Sequence, residues 1–333
     1  MQQTTQVSEW VSKHVKIGSG VSLDYNLVPY MREWLENQGP ESDVEVQVIK
    51  HATHMGVQSG FIFPTLLWGI VNDPCAMIWS VPNGDMVDLS VDGVVRCAKR
   101  SGLFDKMMPG KNSISFDGDQ SLRVVDMAKA HQIRVLSAKR VFCTDVDVMP
   151  YDYADLFGLV CTRSAPYGHS AKVNFIGLPS KRRKSNIDGL YMLGDRRKYM
   201  LPCPCCSELI DLVWTKKGGA GIVYNTDNHG KLIDSSVGYV CQKCSGHFTE
   251  KDKLPAMQEG GVWSATSTPS RQKITSYTIG ALYAMPEMKT WGECVRDWLS
   301  AHPVGAPVSV PHEQVFYNAV LAEVYGPEDE VKF

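Results

Sequence analysis

Val44-Glu45-Val46-Gln47-Val48-Ile49-Lys50-His51-Ala52-Thr53-His54-Met55-Gly56-Val57-Gln58-Ser59-Gly60 is the stretch on which the fold turns. From Val44 to Ile49 apolar and polar residues alternate, the period of a β-strand. His51 to Gly60 is polar and glycine-bearing, as a turn is. An apolar run then reaches Val71. Pro64 interrupts it, and it falls short of the roughly 18–20 apolar residues that span a bilayer, so it reads as a buried helix. Strand, loop and helix in this order is where P-loop ATPases keep their phosphate cradle. That cradle needs a lysine for phosphate charge and a Ser/Thr hydroxyl for magnesium. Here the GK[ST] core reads Gly56-Val57-Gln58, with Lys50 upstream and Ser59 one residue late. Taken alone, the loop is not a P-loop.

Working outward, Tyr30 to Asn37 reads as a helix closed by Gln38-Gly39-Pro40. Cys75 to Val81 is a second buried strand, Val87 to Gly102 a helix, and Ser113 to Val125 a short antiparallel pair. Arg140 to Val146 is a third strand and Lys172 to Leu178 a fourth. Strands alternating with helices predict an α/β fold, a P-loop-NTPase-like and mostly parallel sheet flanked by helices. After residue 200, cysteine pairs, glycines and short β stretches suggest a β-rich insertion. Lys216 to Gly221 and Asn225 to Gly230 are its turn-rich parts. The tail holds Tyr277 to Tyr283, a helix from Trp291 to Leu299, a loop to Pro311 and a helix from Glu313 to Val324. The expected division is an N-terminal segment 1–43, an ATPase-like core 44–200, a zinc-ribbon-like insertion 201–263 and a core-completing segment 264–333.

The 333 residues are 44% hydrophobic and 21% charged, enough for a large core that needs no metal merely to fold. A net charge of −2 says nothing about nucleic acid, so only local clusters can speak to that. MQQTTQVSEW lacks the basic and apolar regions of a signal peptide. The ten cysteines are therefore read in a reducing cytoplasm, where paired spacing points to metal. Cys203-Pro-Cys-Cys206 and Cys241-Gln-Lys-Cys244 are two CxxC knuckles. Each places two thiolates on one turn, and together they complete a tetrahedron for one structural zinc with no open coordination position. Cys205 competes with Cys206 in this reading, and His247 is a further candidate. The third strand ends at Thr144-Asp145-Val146-Asp147. An ATPase wants a magnesium acid there and then a glutamate to orient water; Asp145 or Asp147 would serve, but Thr144 stands first. Trp34, Trp68, Trp79 and Trp214 read as core rather than as stacking platforms.

In order along the chain, several stretches resemble the large terminase subunit of tailed phages, lambda-like branch. Pro29-Tyr-Met-Arg-Glu33 is similar to its TPY-x-RE motif, and Lys50 to Gly60 occupies its Walker A place. Val141 to Asp147 resembles its LLDEVD Walker B strand. Phe175 to Ser180 stands where its Ser-Thr-Pro coupling motif lies. Leu190-Tyr191 with Asp195 to Cys206 resembles SDQRRY-x-VPCPHCG, the most specific match, and Tyr239 to Cys244 resembles the second knuckle. Gly261 to Ala265, Ile279 to Tyr283 and Asn318 to Glu323 are similar to GEWRAT, ISALYSP and NTVLGE.

The resemblance implies a packaging-motor ATPase with ATP and magnesium as cofactors. It implies double-stranded viral DNA, a portal ring and a small terminase subunit as partners, in a homo- or hetero-oligomer. Its place is the host cytoplasm or the phage particle. On that resemblance the nucleotide candidates are Lys50, His51, Gly56, Gln58, Ser59 and Thr144. The catalytic candidates are Asp145, Asp147 and Arg163, the last as a trans-acting finger or an internal ion pair. Lys181, Arg182, Arg183, Lys184, Arg196 and Arg197 are the phosphate-contact candidates. The departures are concerted. Valine replaces the Walker lysine, Thr144 the Walker B aspartate, Asp145 the catalytic glutamate and Gly177-Leu178 the coupling Ser-Thr. No nuclease domain is expected in the few residues after Glu323. The favoured expectation is a terminase-like protein with lost or weakened ATP hydrolysis. The alternatives are a working motor with a divergent pocket and an unrelated nucleic-acid-binding zinc ribbon.

Overall fold

The computed structural model describes residues 6–129, 131–215 and 219–326. Lys216, Lys217 and Gly218 of the turn-rich stretch, and the chain from 327 onward, lie outside the described residues.

Eight strands carry the central sheet: β1 Val46–His51, β2 Met77–Val81, β3 Gln120–Asp126, β4 Arg140–Thr144, β5 Lys172–Gly177, β6 Arg197–Pro202, β7 Val262–Ser264 and β8 Ile274–Ile279. Seven of them run parallel in the order β6-β8-β1-β5-β4-β2-β3. Antiparallel pieces finish both edges. Ser113–Phe116 pairs with β3, which makes the expected hairpin, and β7 and Leu209–Ile210 pair with β6. Strands β2, β4 and β5 are buried at every position, as strands covered on both faces must be.

Helices cover both faces: α1 Val7–His14, α2 Arg32–Glu36, α3 Phe63–Asn72, α4 Asp85–Arg100, α5 Tyr153–Ser164, α6 Asn186–Tyr191, α7 Glu250–Gly260 and α8 Trp291–Ala301. One core layer gathers Trp34, Phe61, Leu66, Trp79 and Val94. The other gathers Ile78, Val141, Leu156, Val160 and Ile187 under α5 and α6. Asp152 caps α5 by accepting from the amides of Ala154 and Asp155, and capping boxes at Thr249 and Thr290 start α7 and α8.

Four local expectations differ. The turn expected to run through Gly60 gives way at Gln58 to a wide helical turn, Gln58–Ile62, that leads into α3. The β-rich stretch expected to 263 contains the helix α7. The third strand stops at Thr144 rather than Val146, because Asp145 takes a left-handed conformation with φ of 55°. The helix expected from Glu313 to Val324 is Val310–Val315 followed by a wider turn, Phe316–Val320; Ala322 then has φ of 58°, which ends it.

The alternation in β1 does not mark a solvent face. Gln47 is buried, and its side chain meets the Asn37 amide at 2.7 Å and Asn174 at 3.3 Å. Gln38 donates to Asn174 at 2.8 Å, and Asn37 donates to the Tyr277 hydroxyl at 2.8 Å. This amide network docks the N-terminal segment on the sheet and satisfies polar groups that would be costly to bury alone.

At the amino ends of β4 and β5, Lys172 is buried and donates to the carbonyls of Ser42 and Val44. Burial, helped by the nearby Arg140 charge, lowers its pKa from 10.5 to about 8. Between those values the unfolded chain keeps a proton that the folded chain has released, so stability rises with pH. The stability of the wild type relative to Lys172→Met is therefore expected to grow as pH rises from 8 to 10.5, read by chemical denaturation. Tyrosine and cysteine titrations cancel in this difference. A flat difference would refute the assignment.

Candidate nucleotide site and cysteine cluster

Ligands of open parallel sheets bind outside the carboxyl ends of the strands. A cavity of about 190 Å³ lies there, lined by His51, Val57, Gln58, Ile62, Trp79, Met86, Ser90, Thr144, Asp145 and Ile176. The structure thus brings together four of the sequence candidates: His51, Gln58, Thr144 and Asp145.

Each reaches the cavity for a local reason. His51 ends β1, and its Nδ1 hydrogen bonds to the Ala52 carbonyl at 2.7 Å. Burial holds its pKa below the usual histidine value and so favours the neutral ring. Gly56 has φ of 69°, and a Cβ there would come within 3.2 Å of Met288 Cε, so the loop needs glycine at this position. Its carbonyl accepts the Gly60 amide at 2.7 Å and the Ser59 hydroxyl at 3.4 Å. Ser59 thus sits in the first turn of the helical segment Gln58–Ile62, with its hydroxyl bonded back to Gly56. Thr144 is buried, and its hydroxyl accepts the Trp79 indole N–H at 3.0 Å. Asp145 follows on the left-handed turn. No hydrogen bond to its carboxylate is found among the described residues, and burial raises its pKa. Gly177 packs close to this turn, since a Cβ would lie 3.3 Å from the Val146 amide.

The other candidates lie elsewhere. Lys50 precedes His51 on β1 and so points to the opposite face. Its ammonium lies 2.6 Å from Asp188 on α6 and 4.3 Å from the Tyr191 ring centre, with the side chain 8% exposed. A lysine held this way does not reach the cavity. Asp147 accepts the Ile187 amide at 2.6 Å, while Asn186 donates to Val146 at 2.9 Å; both tie the start of α6 to the end of β4. Arg163 ends α5, where its carbonyl accepts the Ala138 amide and its guanidinium donates to the Arg134 carbonyl. That is the amino edge of β4, across the sheet from Thr144.

The Lys50–Asp188 pair carries a prediction. Asp188→Asn leaves a buried ammonium without its counter-ion and is expected to cost about 3 kcal/mol in urea unfolding. Lys50→Met with Asp188→Leu removes both charges and is expected to cost much less. Equal losses in the two proteins would contradict the pairing.

Sequence reading missed Trp79, Met86 and Ser90 as cavity walls and Asp188 as the Lys50 partner. Strand parity was the one available signal. Neighbours on a strand face opposite ways, so Lys50 and His51 cannot both line one cavity.

The cysteine cluster is compact. The sulfurs of Cys203, Cys206, Cys241 and Cys244 all lie within 4.8 Å of one another, an arrangement able to hold a metal ion. The two knuckles repeat one geometry. Cys205 N donates to Cys203 Sγ at 3.4 Å, and Lys243 N donates to Cys241 Sγ at 3.3 Å. Ser207 and Ser245, just after each knuckle, have φ of 63° and 57°. Cys205 is exposed and outside the tetrahedron, with its Sγ directed at the His247 carbonyl. A three-stranded antiparallel sheet, Gly221–Val223, Gly238–Val240 and His247–Phe248, carries the second knuckle. Lys253 of α7 fastens this part to α8: it is 2% exposed, donates to the Ala284 carbonyl at 2.6 Å and sits 5.5 Å from the Trp291 ring.

Of the basic candidates, Lys181, Arg183 and Lys184 are exposed, and the half-buried Arg182 pairs its amide with the Tyr325 carbonyl at 2.8 Å. Arg196 donates to the Met192 carbonyl, and Arg197 is held between Glu33 and Asp195. Glu33 also accepts from the Tyr277 hydroxyl at 2.7 Å. Arg197 therefore locks α2 to β6 and β8. No helix among the described residues is long and apolar enough to cross a membrane.

No curated protein sequence matches the chain. Two solved structures of the Thermus phage P74-26 large terminase ATPase domain share the fold. One, a point mutant, has a TM-score of 0.51 at 9% identity, over 92% of this chain and 96% of that one. The other has a TM-score of 0.50 at 9% identity, over 92% and 95%. The family model for the phage terminase large subunit gpA, ATPase domain, matches residues 19–263. The chain belongs to this family, the ATPase domain of the phage terminase large subunit gpA.

Proposed function

We propose that the chain is a terminase component of viral DNA packaging or particle assembly whose ATP hydrolysis is lost or much weakened. The observation that carries this reading is the Trp79–Thr144 hydrogen bond of 3.0 Å. It places a neutral indole against the residue that stands where a magnesium acid belongs. Phosphoryl transfer is catalysed by positioning and by neutralising phosphate charge, so a cavity with no cation and an indole at the metal position lacks both means. Val57, Ile62, Met86 and Ile176 add apolar wall, and the remaining polar lining, His51, Gln58, Ser90 and Asp145, includes no lysine or arginine. Magnesium-nucleotide therefore does not fit the residues present, and no catalytic step is assigned to Asp145, Asp147 or Arg163. The working-motor alternative gives Lys50 the phosphate charge, Ser59 or Thr144 the magnesium hydroxyl and Asp145 the water contact; of these, Thr144 and Asp145 line the cavity. Equilibrium titration with ATP and magnesium separates the two.

The cysteine cluster fits zinc. Four thiolates on two knuckles are the donor set of a closed structural site, which would fix the insertion on the sheet edge and do no chemistry. Double-stranded DNA is the proposed polyanion for the exposed Lys181, Arg183 and Lys184. Arg197 serves the fold instead, since Glu33 and Asp195 hold its guanidinium; Arg196 is half-buried and donates to the Met192 carbonyl. A portal ring and a small terminase subunit are the proposed protein partners, within an oligomer. The 1–43, 44–200, 201–263 and 264–333 division is retained as the proposed domain plan. Family membership sets aside a zinc ribbon unrelated to packaging.

A further inference from the structure

The two knuckles match position for position, except that one carries a fifth thiol. Cys205 stands where the second knuckle has Lys243. It is exposed, and so is Cys244, whereas Cys203 and Cys241 are buried. The two exposed sulfurs converge on Gly246. A Cβ on that glycine would lie 2.9 Å from Cys205 Sγ and 3.1 Å from Cys244 Sγ. Gly246 is thus the residue that lets both sulfurs occupy one small space. Cys244 is also a cluster member, 4.0 Å from Cys203 Sγ, and it accepts the Gly246 amide at 3.4 Å.

We infer that Cys205 and Cys244 form an oxidisable pair that opens the metal site when a peroxide is present. The inference rests on the metal reading proposed above. The Cys205 sulfur attacks a peroxide oxygen; the O–O bond breaks, one water leaves and Cys205 becomes a sulfenic acid. The Cys244 sulfur then attacks the Cys205 sulfur. The S–O bond breaks, the oxygen leaves as a second water with a proton from solvent, and a Cys205–Cys244 disulfide forms. The two sulfurs give up two electrons, and the peroxide is reduced to two waters. Cys244 is consumed as a thiolate ligand, so three donors remain and the ion is released. Buried Cys203 and Cys241 are shielded from this attack, which gives the reaction its direction.

The full chain, loaded with zinc alone, is treated with hydrogen peroxide. Release is followed with a chromogenic chelator, and disulfides are mapped by mass spectrometry without reduction. Wild type is expected to release its zinc as a peptide joining residues 205 and 244 appears. Cys205→Ser is expected to start with the same zinc content and to release it about tenfold more slowly, without that peptide. Equal release rates, or a map joining only Cys203, Cys206 and Cys241, would overturn the inference. If the untreated chain holds no zinc, the metal reading fails by itself. The 205–244 peptide then still decides the pairing, and its absence refutes it.

Discussion

Replacing Cys203 and Cys241 together with serine is expected to take the chain from one zinc per molecule to none. The effect is the largest predicted here, because each knuckle loses its buried thiolate. The two remaining sulfurs, on Cys206 and Cys244, cannot complete a tetrahedral site. Metal binding to such sites is coupled to folding. The surrounding elements are short: strands of three, three and two residues carry the second knuckle. Without the ion, limited proteolysis should cut between residues 203 and 263 while the parallel sheet survives. Metal content is read by mass spectrometry of the desalted protein. Unchanged, stoichiometric zinc in the double variant would remove the zinc assignment.

Trp34→Ala should produce the largest single-residue loss of stability. The indole is fully buried, with ring centres of Tyr30, Phe61, Trp263 and Tyr277 between 5.7 and 6.0 Å away. These rings come from the N-terminal segment, the helical turn that leads into α3, β7 and β8. One side chain therefore ties together pieces that are more than two hundred residues apart. Truncating a buried aromatic leaves a cavity that such rigid neighbours cannot refill, at a cost of roughly 3–5 kcal/mol. Urea denaturation gives the number directly. A loss below about 1 kcal/mol would show that the N-terminal segment is not packed on the sheet in this way.

The fold was largely legible in the sequence, because buried parallel strands write themselves as short apolar runs. Cys75 to Val81, Arg140 to Val146 and Lys172 to Leu178 each came within two residues of a strand at both ends. The knuckles were legible for a different reason, since two ligands on one turn require a fixed spacing. The site was less legible. Spacing places residues along the chain but does not say what packs against them. Trp79 looked like any core tryptophan, and only the fold puts its N–H on Thr144. Asp147 looked like a second acid for a metal, but the amide of Ile187 claims it. Gln47 is one of the polar residues of the alternating stretch, and the amide network it joins is built from residues distant in sequence. Arg197 belongs to a basic run in the sequence, but Glu33 and Asp195 flank it in the fold.

We propose that this terminase fold keeps its cavity but not its grip on nucleotide. Equilibrium titration of the purified chain with ATP and magnesium, followed by tryptophan fluorescence and by calorimetry, tests it most directly, because Trp79 lines the cavity. No saturable binding up to millimolar nucleotide and no phosphate release are expected. Saturable micromolar binding that depends on magnesium would contradict it, and would mean that Trp79 leaves Thr144 to admit the phosphates.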